Sequence, residues 1–252
     1  GNLIKYSFFG KDGKLVKNNE RYAQLILEYD ELGNVIGGKY LDEQGNFTMN
    51  SDGNASFKSE YDPNTNFRIA SYSFDTKGKQ IGGRKFKYDK RGNVIEVRYI
   101  DDNGQLKSGT VVEHYEYNDI DLITRQYYTD ASGNMAFFPN SKYSQTKYEY
   151  DERGNHTKTT YWDKEGNPSV NSSKTHAIIK KYDAMDNLVY WKDLDANGNP
   201  NTADSNYPEV KYAYDNRGNQ IEFTIFDGFG KAINGGDGWH KQVNTYNNRN
   251  QT

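Results

Sequence analysis

The chain has 252 residues, a formal net charge of −3, no Cys, 22 Tyr and a mean hydropathy of −1.06. Without Cys, disulfide frameworks and thiolate metal sites are excluded. Acidic and basic side chains are interspersed, with no basic stripe for nucleic acid and no run near the roughly 20 apolar residues of a membrane helix. Only 34% of residues are hydrophobic, so the 22 Tyr must supply much of the buried area, in a thin, aromatic-rich core.

The chain opens on Gly1-Asn2, 32 residues before Gly33-Asn34. The sequence Tyr29 to Asn34 recurs nearly unchanged at Tyr88 to Asn93, Tyr150 to Asn155 and Tyr214 to Asn219. Altered copies stand at Tyr61 to Asn66, Tyr117 to Leu122, Tyr182 to Asn187 and Tyr246 to Gln251. This is hairpin-turn chemistry. The Asp carboxylate accepts backbone N–H groups, and Gly takes positive φ without steric cost, as in a type I turn followed by a bulge.

A second Asp-x-x-Gly turn follows each first one, at Leu41 to Asn46, Ile100 to Gln105, Trp162 to Asn167, Leu194 to Asn199 and Phe226 to Lys231. Asp151 lies 12 residues before Asp163, and Asp163 lies 20 before Asp183, giving a period of 32. The units are 2–34, 34–66, 66–93, 93–122, 122–155, 155–187, 187–219 and 219–251. Both ends stop at the same phase, which leads us to expect an array cut from a longer one.

Within a unit, Tyr148 and Tyr150 alternate with Lys147 and Glu149 before the turn. After the equivalent turn, Ile221, Phe223 and Ile225 alternate with polar residues. Period two over short runs predicts half-buried strands. A further short segment, such as Asn167 to Asn171, then a polar loop, completes about three short strands per unit with little or no helix. The unit between Asp75 and Asp89 spans only 14 residues, and Asp101 to Asn118 only 17. The long loop is missing there, so the array bends or lacks a protrusion near residues 76–120. The fold expected is all-β: tandem β-hairpin repeats stacked into an elongated, twisted or superhelical antiparallel sheet, without a separate second domain.

The motif Tyr-x-Tyr-Asp-x-Arg-Gly-Asn, as at Tyr148 to Asn155 and Tyr212 to Asn219, resembles the tyrosine–aspartate repeats of Rhs-type bacterial surface and toxin proteins. The period is longer here, and Asn follows the turn Gly where Arg is common. Asp237 to Lys241 resembles a segment of longer-period bacterial tandem repeats. The resemblance implies a bacterial, extracytoplasmic β-hairpin repeat without enzymatic activity of its own.

Candidate chemistry is sparse. His114, His156, His176 and His240 form no metal-ligand spacing. Asp193, Asp195, Asn197, Gly198 and Asp204 match the start of a calcium loop, although Asp195 and Gly198 are ordinary second-turn residues. Nearly every Asp has a turn position, so no catalytic carboxylate pair, metal or cofactor is expected. Trp162, Trp191 and Trp239 are candidates for stacking on a sugar ring, with core packing as the alternative. Phe137 and Phe138 are either a plug over the core or an exposed contact. The expectation is a surface or secreted repeat module, non-catalytic, that scaffolds or binds a protein or glycan, with a carbohydrate-binding module as the alternative and an enzyme as the third.

Overall fold

The computed structural model describes residues 1–202 and 207–247. All described regular structure is β, and the chain divides into two units, Gly1–Glu113 and His114–Thr252. In the first unit β1 is Lys5–Ser7, β2 Gln24–Tyr29, β3 Val35–Leu41, β4 Ser56–Tyr61, β5 Arg68–Phe74, β6 Gln80–Tyr88 and β7 Val94–Ile100. Each of β1 to β6 pairs antiparallel with the next in chain order. Strand β8, Val112–Tyr117, crosses the division between the units. The second unit continues with β9 Ile123–Thr129, β10 Gln145–Tyr150, β11 His156–Trp162, β12 Ala177–Tyr182, β13 Leu188–Leu194, β14 Glu209–Tyr214, β15 Gln220–Phe226 and β16 Lys241–Val243. From β9 onward every neighbour in chain order is again an antiparallel partner.

The Asp turn sets this order. Asp30 N donates to Asn34 O at 3.0 Å and Gly33 N to Asp30 O at 3.1 Å, with Gly33 at φ 86°. Asp30 Oδ1 accepts from the amides of Leu32 at 3.0 Å and Asn34 at 2.8 Å, while its Oδ2 accepts from Asn34 Nδ2 at 2.8 Å. The register shifts between Glu28 and Tyr29, so this is the expected bulged hairpin. Asp151 and Asn155, Asp183 and Asn187, and Asp215 and Asn219 repeat the same bonds. The Asn after Gly is thereby accounted for, since its side chain donates to the second carboxylate oxygen. Where Gly is missing, Asp121 and Asp186 take the left-handed position at φ 62° and 63°, which Asp tolerates better than most residues.

Two features differ from the sequence expectation. The third short strand is a single bridge, such as Leu41↔Phe47 or Trp162↔Pro168, in every repeat but 66–93, where β5 leads through its turn straight into β6. The polar loop after it holds a further turn, in which Asn50 Oδ1 accepts from Asp52 N and Asn54 N, as Asn171 Oδ1 does from Ser173 N and Thr175 N. A bridge suffices because the second turn already fixes the chain direction and the loop turn satisfies the remaining backbone groups.

The Tyr of the motif makes a bond that packing arguments did not anticipate. Tyr61, Tyr88, Tyr150, Tyr182 and Tyr214 donate their hydroxyls to the carbonyl oxygens of Val35, Arg68, Ile123, His156 and Leu188. Each acceptor is the first residue of a strand that follows an earlier turn. Each hairpin is thereby tied to the one before it by the phenol end, while the ring covers the intervening surface.

The cores are thin, as composition requires. Tyr22, Tyr40 and Phe57 run edge to edge in the first unit, with centroid separations of 5.0 and 6.2 Å. Tyr128, Phe138, Tyr143 and Tyr161 form a similar chain in the second, as do Tyr212, Phe223 and Trp239. Tyr22, Tyr143 and Trp239 come from loop turns, so the loops act as lids on one face of the strands.

Candidate binding recess

Between β5 and β6 the lid is absent. The turn from Asp75 to Lys79 leads directly into β6, as the short spacing in the sequence foreshadowed. On the strands beneath, the positions that hold aromatic rings elsewhere are small. Cross-strand pairing sets Phe57 opposite Ser73, Ser59 opposite Ser71, Ser71 opposite Arg84, Ser73 opposite Gly82 and Arg84 opposite Tyr99. These residues share one face of the sheet.

The result is a recess of about 610 Å³ within the first unit. Its floor is Ser71, Ser73, Gly82 and Gly83, and its walls include Tyr40, Phe57, Phe86 and Tyr99. Glycines shape it on two sides. The Phe57 ring lies over Gly38, where a Cβ would stand 2.4 Å from Cε1, so the ring leans toward β3 and leaves the space above Ser73 open. At Gly83 a Cβ would stand 2.3 Å from the carbonyl oxygen of Ser71, a backbone atom that cannot yield.

Three cations and one carboxylate line the recess: Arg68, Arg84, Lys107 and Asp52. The Arg68 guanidinium lies 5.1 Å from the centre of the Phe86 ring and that of Arg84 lies 5.1 Å from the centre of the Tyr99 ring. Among the described residues, neither Arg makes an ion pair. Burial pushes the Tyr99 hydroxyl up from its usual range, assisted by Glu113 and opposed by Arg84. Burial likewise raises Tyr40, whose hydroxyl bonds to Asn50. The rings thus stay neutral at physiological pH and hold the cations by their π-faces.

The residues singled out in the sequence lie elsewhere. Trp162 and Trp191 sit on opposite faces of their sheet, since Thr160 and Trp162 pair with Lys147 and Gln145 while Trp191 shares a face with Lys180 and Val210. Lys147 covers the Trp162 ring at 4.7 Å and Lys180 the Trp191 ring at 4.8 Å. The indole N–H groups are engaged with Thr160 Oγ1 and Asp193 Oδ1, both at 2.8 Å. Trp239 packs on Phe223. Phe138 is half-buried against Tyr128 and Tyr143, whereas Phe137 is 41% exposed beneath Lys164. The structure does not bring these five aromatics together.

Carboxylates and imidazoles are likewise separated. Among the described residues no three His, Asp or Glu side chains converge. Of the calcium-like stretch, Asp193 accepts the Trp191 indole and Asp195 closes its turn on Asn197 and Asn199, while Asp204 lies outside the described residues. His156 is held below its usual range by burial and then by Lys180, against its bond to Lys158 O. His114 stacks on Tyr127 and His176 bonds to Ser169 O.

Sequence reasoning missed Ser71, Ser73, Arg68 and Arg84 because nothing about them is a motif. The available signal was a pair of absences: no loop between Asp75 and Asp89, and small residues where the neighbouring units put rings.

No family model and no curated protein matches the chain. Solved structures to which it is similar include the crystal structure of TcdB2-TccC3-Cdc42, at 17% identity and a TM-score of 0.42 over 88% of this chain. TcdB2-TccC3-TEV follows at 15% identity and 0.41 over 91%, and the Photorhabdus luminescens Tc holotoxin pore at 16% and 0.40 over 88%. This chain spans 12% of the length of those chains.

Proposed function

We propose that this chain is a non-catalytic repeat scaffold that binds a glycan or protein at a cell surface, outside the cytoplasm, through the open face of its first unit. The observation that carries this reading is the recess between β4 and β7, where the lid is absent, β5 presents Ser71 and Ser73, and Arg68 and Arg84 lie on rings without carboxylate partners. Elsewhere the loops cover the same face with Tyr22, Tyr143 or Trp239. A binding role also fits the use of the acidic residues. Asp30, Asp42, Asp163, Asp183 and Asp215 are all held below the usual carboxylate range, in each case with help from the Asn that ends the turn. Carboxylates so engaged are poor general acids, which need a raised pKa near the working pH. The test is an array of glycans and surface proteins probed with the intact chain, run alongside a hydrolysis assay on the same glycans. Retained ligand with no product supports the scaffold reading, and turnover of a glycan contradicts it.

A further inference from the structure

We infer that the recess of the first unit is a subsite for an acidic saccharide, one whose sugar rings carry carboxylates. The inference rests on the binding reading above and supplies its ligand class. Three observations carry it.

The first is charge. Arg68, Arg84 and Lys107 face the recess with Asp52 as the one carboxylate among its lining residues. Each guanidinium lies over an aromatic ring, which orients the fork and leaves its N–H edge for a planar acceptor. A carboxylate is such an acceptor, and Arg engages it with two parallel hydrogen bonds.

The second is the floor. Ser71 and Ser73 hydroxyls, two residues apart on β5, both line the recess, beside the backbone of Gly82 and Gly83. Hydroxyls that both donate and accept suit the hydroxyl groups of a sugar. The walls of Phe57 and Phe86 supply the apolar sides that the C–H edges of a pyranose contact.

The third separates a sugar from a peptide that binds through its backbone; an acidic peptide held by its side chains alone is the case the poly-glutamate arm below decides. An extended peptide binds a sheet by adding a strand to a free edge. Strands β4, β5 and β6 each have a hydrogen-bonded neighbour on both sides, so the recess offers side chains and no free backbone row. A carboxylated sugar needs no such row.

The test uses the intact chain and isothermal titration with oligogalacturonate, neutral dextran and poly-glutamate. All three Trp lie in the second unit, so tryptophan emission recorded in the same titrations reports on stacking there and not on the recess. The expected result is binding of oligogalacturonate without a change in tryptophan emission, weakened by salt, and no binding of dextran. The Arg68→Gln/Arg84→Gln double variant, whose side chains are exposed and whose fold is checked by its melting curve, is expected to lose affinity by about tenfold or more. Oligogalacturonate binding that survives in the double variant, or that alters tryptophan emission, overturns the recess assignment while leaving the scaffold reading in place. Stronger binding of poly-glutamate than of oligogalacturonate overturns the saccharide class. Absence of binding to every probe overturns the inference, and the wider array then decides the scaffold reading separately.

Discussion

At the scale of single residues, Asp and Tyr divide the labour. One Asp carboxylate satisfies two turn amides through Oδ1 and holds the Asn side chain through Oδ2, as at Asp183. Asn118 performs the Oδ1 part alone, accepting from Ile120 N at 3.1 Å and Leu122 N at 2.9 Å. An Asp183→Asn variant is therefore expected to keep its hairpin, while Asp183→Ala loses melting temperature. The charged form adds a pH dependence. Asp183 and Asp215 are held below 3.8, the ordinary aspartate value, first by the side chains of Asn187 and Asn219. A depressed carboxylate stabilises the fold fully above its unfolded pKa, and that contribution is lost as pH falls through the folded value. The melting temperature should therefore be level above about pH 5 and fall below pH 3.8 as the turns protonate one after another. A curve that is flat down to about pH 2 would remove the turn carboxylates from the account.

The Tyr hydroxyl is the other residue-scale device. Removing it in Tyr182→Phe leaves the carbonyl of His156 without that donor, 3.1 Å away in the native fold, and should cost about 1 kcal/mol in urea unfolding. Tyr6 on β1, 43% exposed, is the control; Tyr6→Phe should stay within about 0.5 kcal/mol of the parent. Equal losses at both sites would show that the Tyr182 hydroxyl bond contributes nothing beyond what an exposed phenol does.

At the scale of the element, a hairpin is specified by its turn and its covering loop is specified loosely. The first and second turns were legible because their chemistry needs fixed letters: an Asp acceptor, then Gly or a tolerant Asp or Asn at positive φ. The loop turn was not, because Asn18, Asn50 and Asn171 alternate with Phe138 and Gly235 at its start. Geometry there is set by backbone bonds that many residues allow. The tie from Tyr182 to His156 spans 26 residues and leaves no local pattern. The Trp candidates show the converse: a large aromatic is conspicuous in a sequence, and the structure adds that the indole N–H groups of Trp162 and Trp191 are engaged by Thr160 and Asp193 on opposite faces. At this scale Gly83 is the sharpest test. An Ala methyl would meet the Ser71 carbonyl oxygen at 2.3 Å, so Gly83→Ala should destabilise by about 1–3 kcal/mol as β5 and β6 separate. A neutral midpoint in urea would mean that the strands do not approach this closely.

At the scale of the whole molecule, each unit is a stack of hairpins in which a strand contacts only its neighbours, the condition under which repeat proteins divide their stability among adjacent interfaces. Such an architecture spreads a thin core along the strands, and in the function proposed above its binding site arises where something is left out. In the first unit the omission is one lid and the ring that Tyr40 and Tyr99 supply at the place of Ser73, and what remains is a serine floor between arginines laid on aromatics. The short spacing from Asp75 to Asp89 made the missing loop visible in the sequence, but the consequence depended on which residues stood opposite one another across β4 to β7. Register is a tertiary property, and a one-residue slip would have placed Tyr72 and Lys85 on this face instead. The most direct test is a two-dimensional amide and guanidinium NMR titration of the intact chain with oligogalacturonate. Shifts confined to Ser71, Ser73, Gly82, Gly83, Arg84 and their cross-strand neighbours are the predicted result. Shifts centred on Trp162, Trp191 or Trp239, or a spectrum that does not respond, would contradict it.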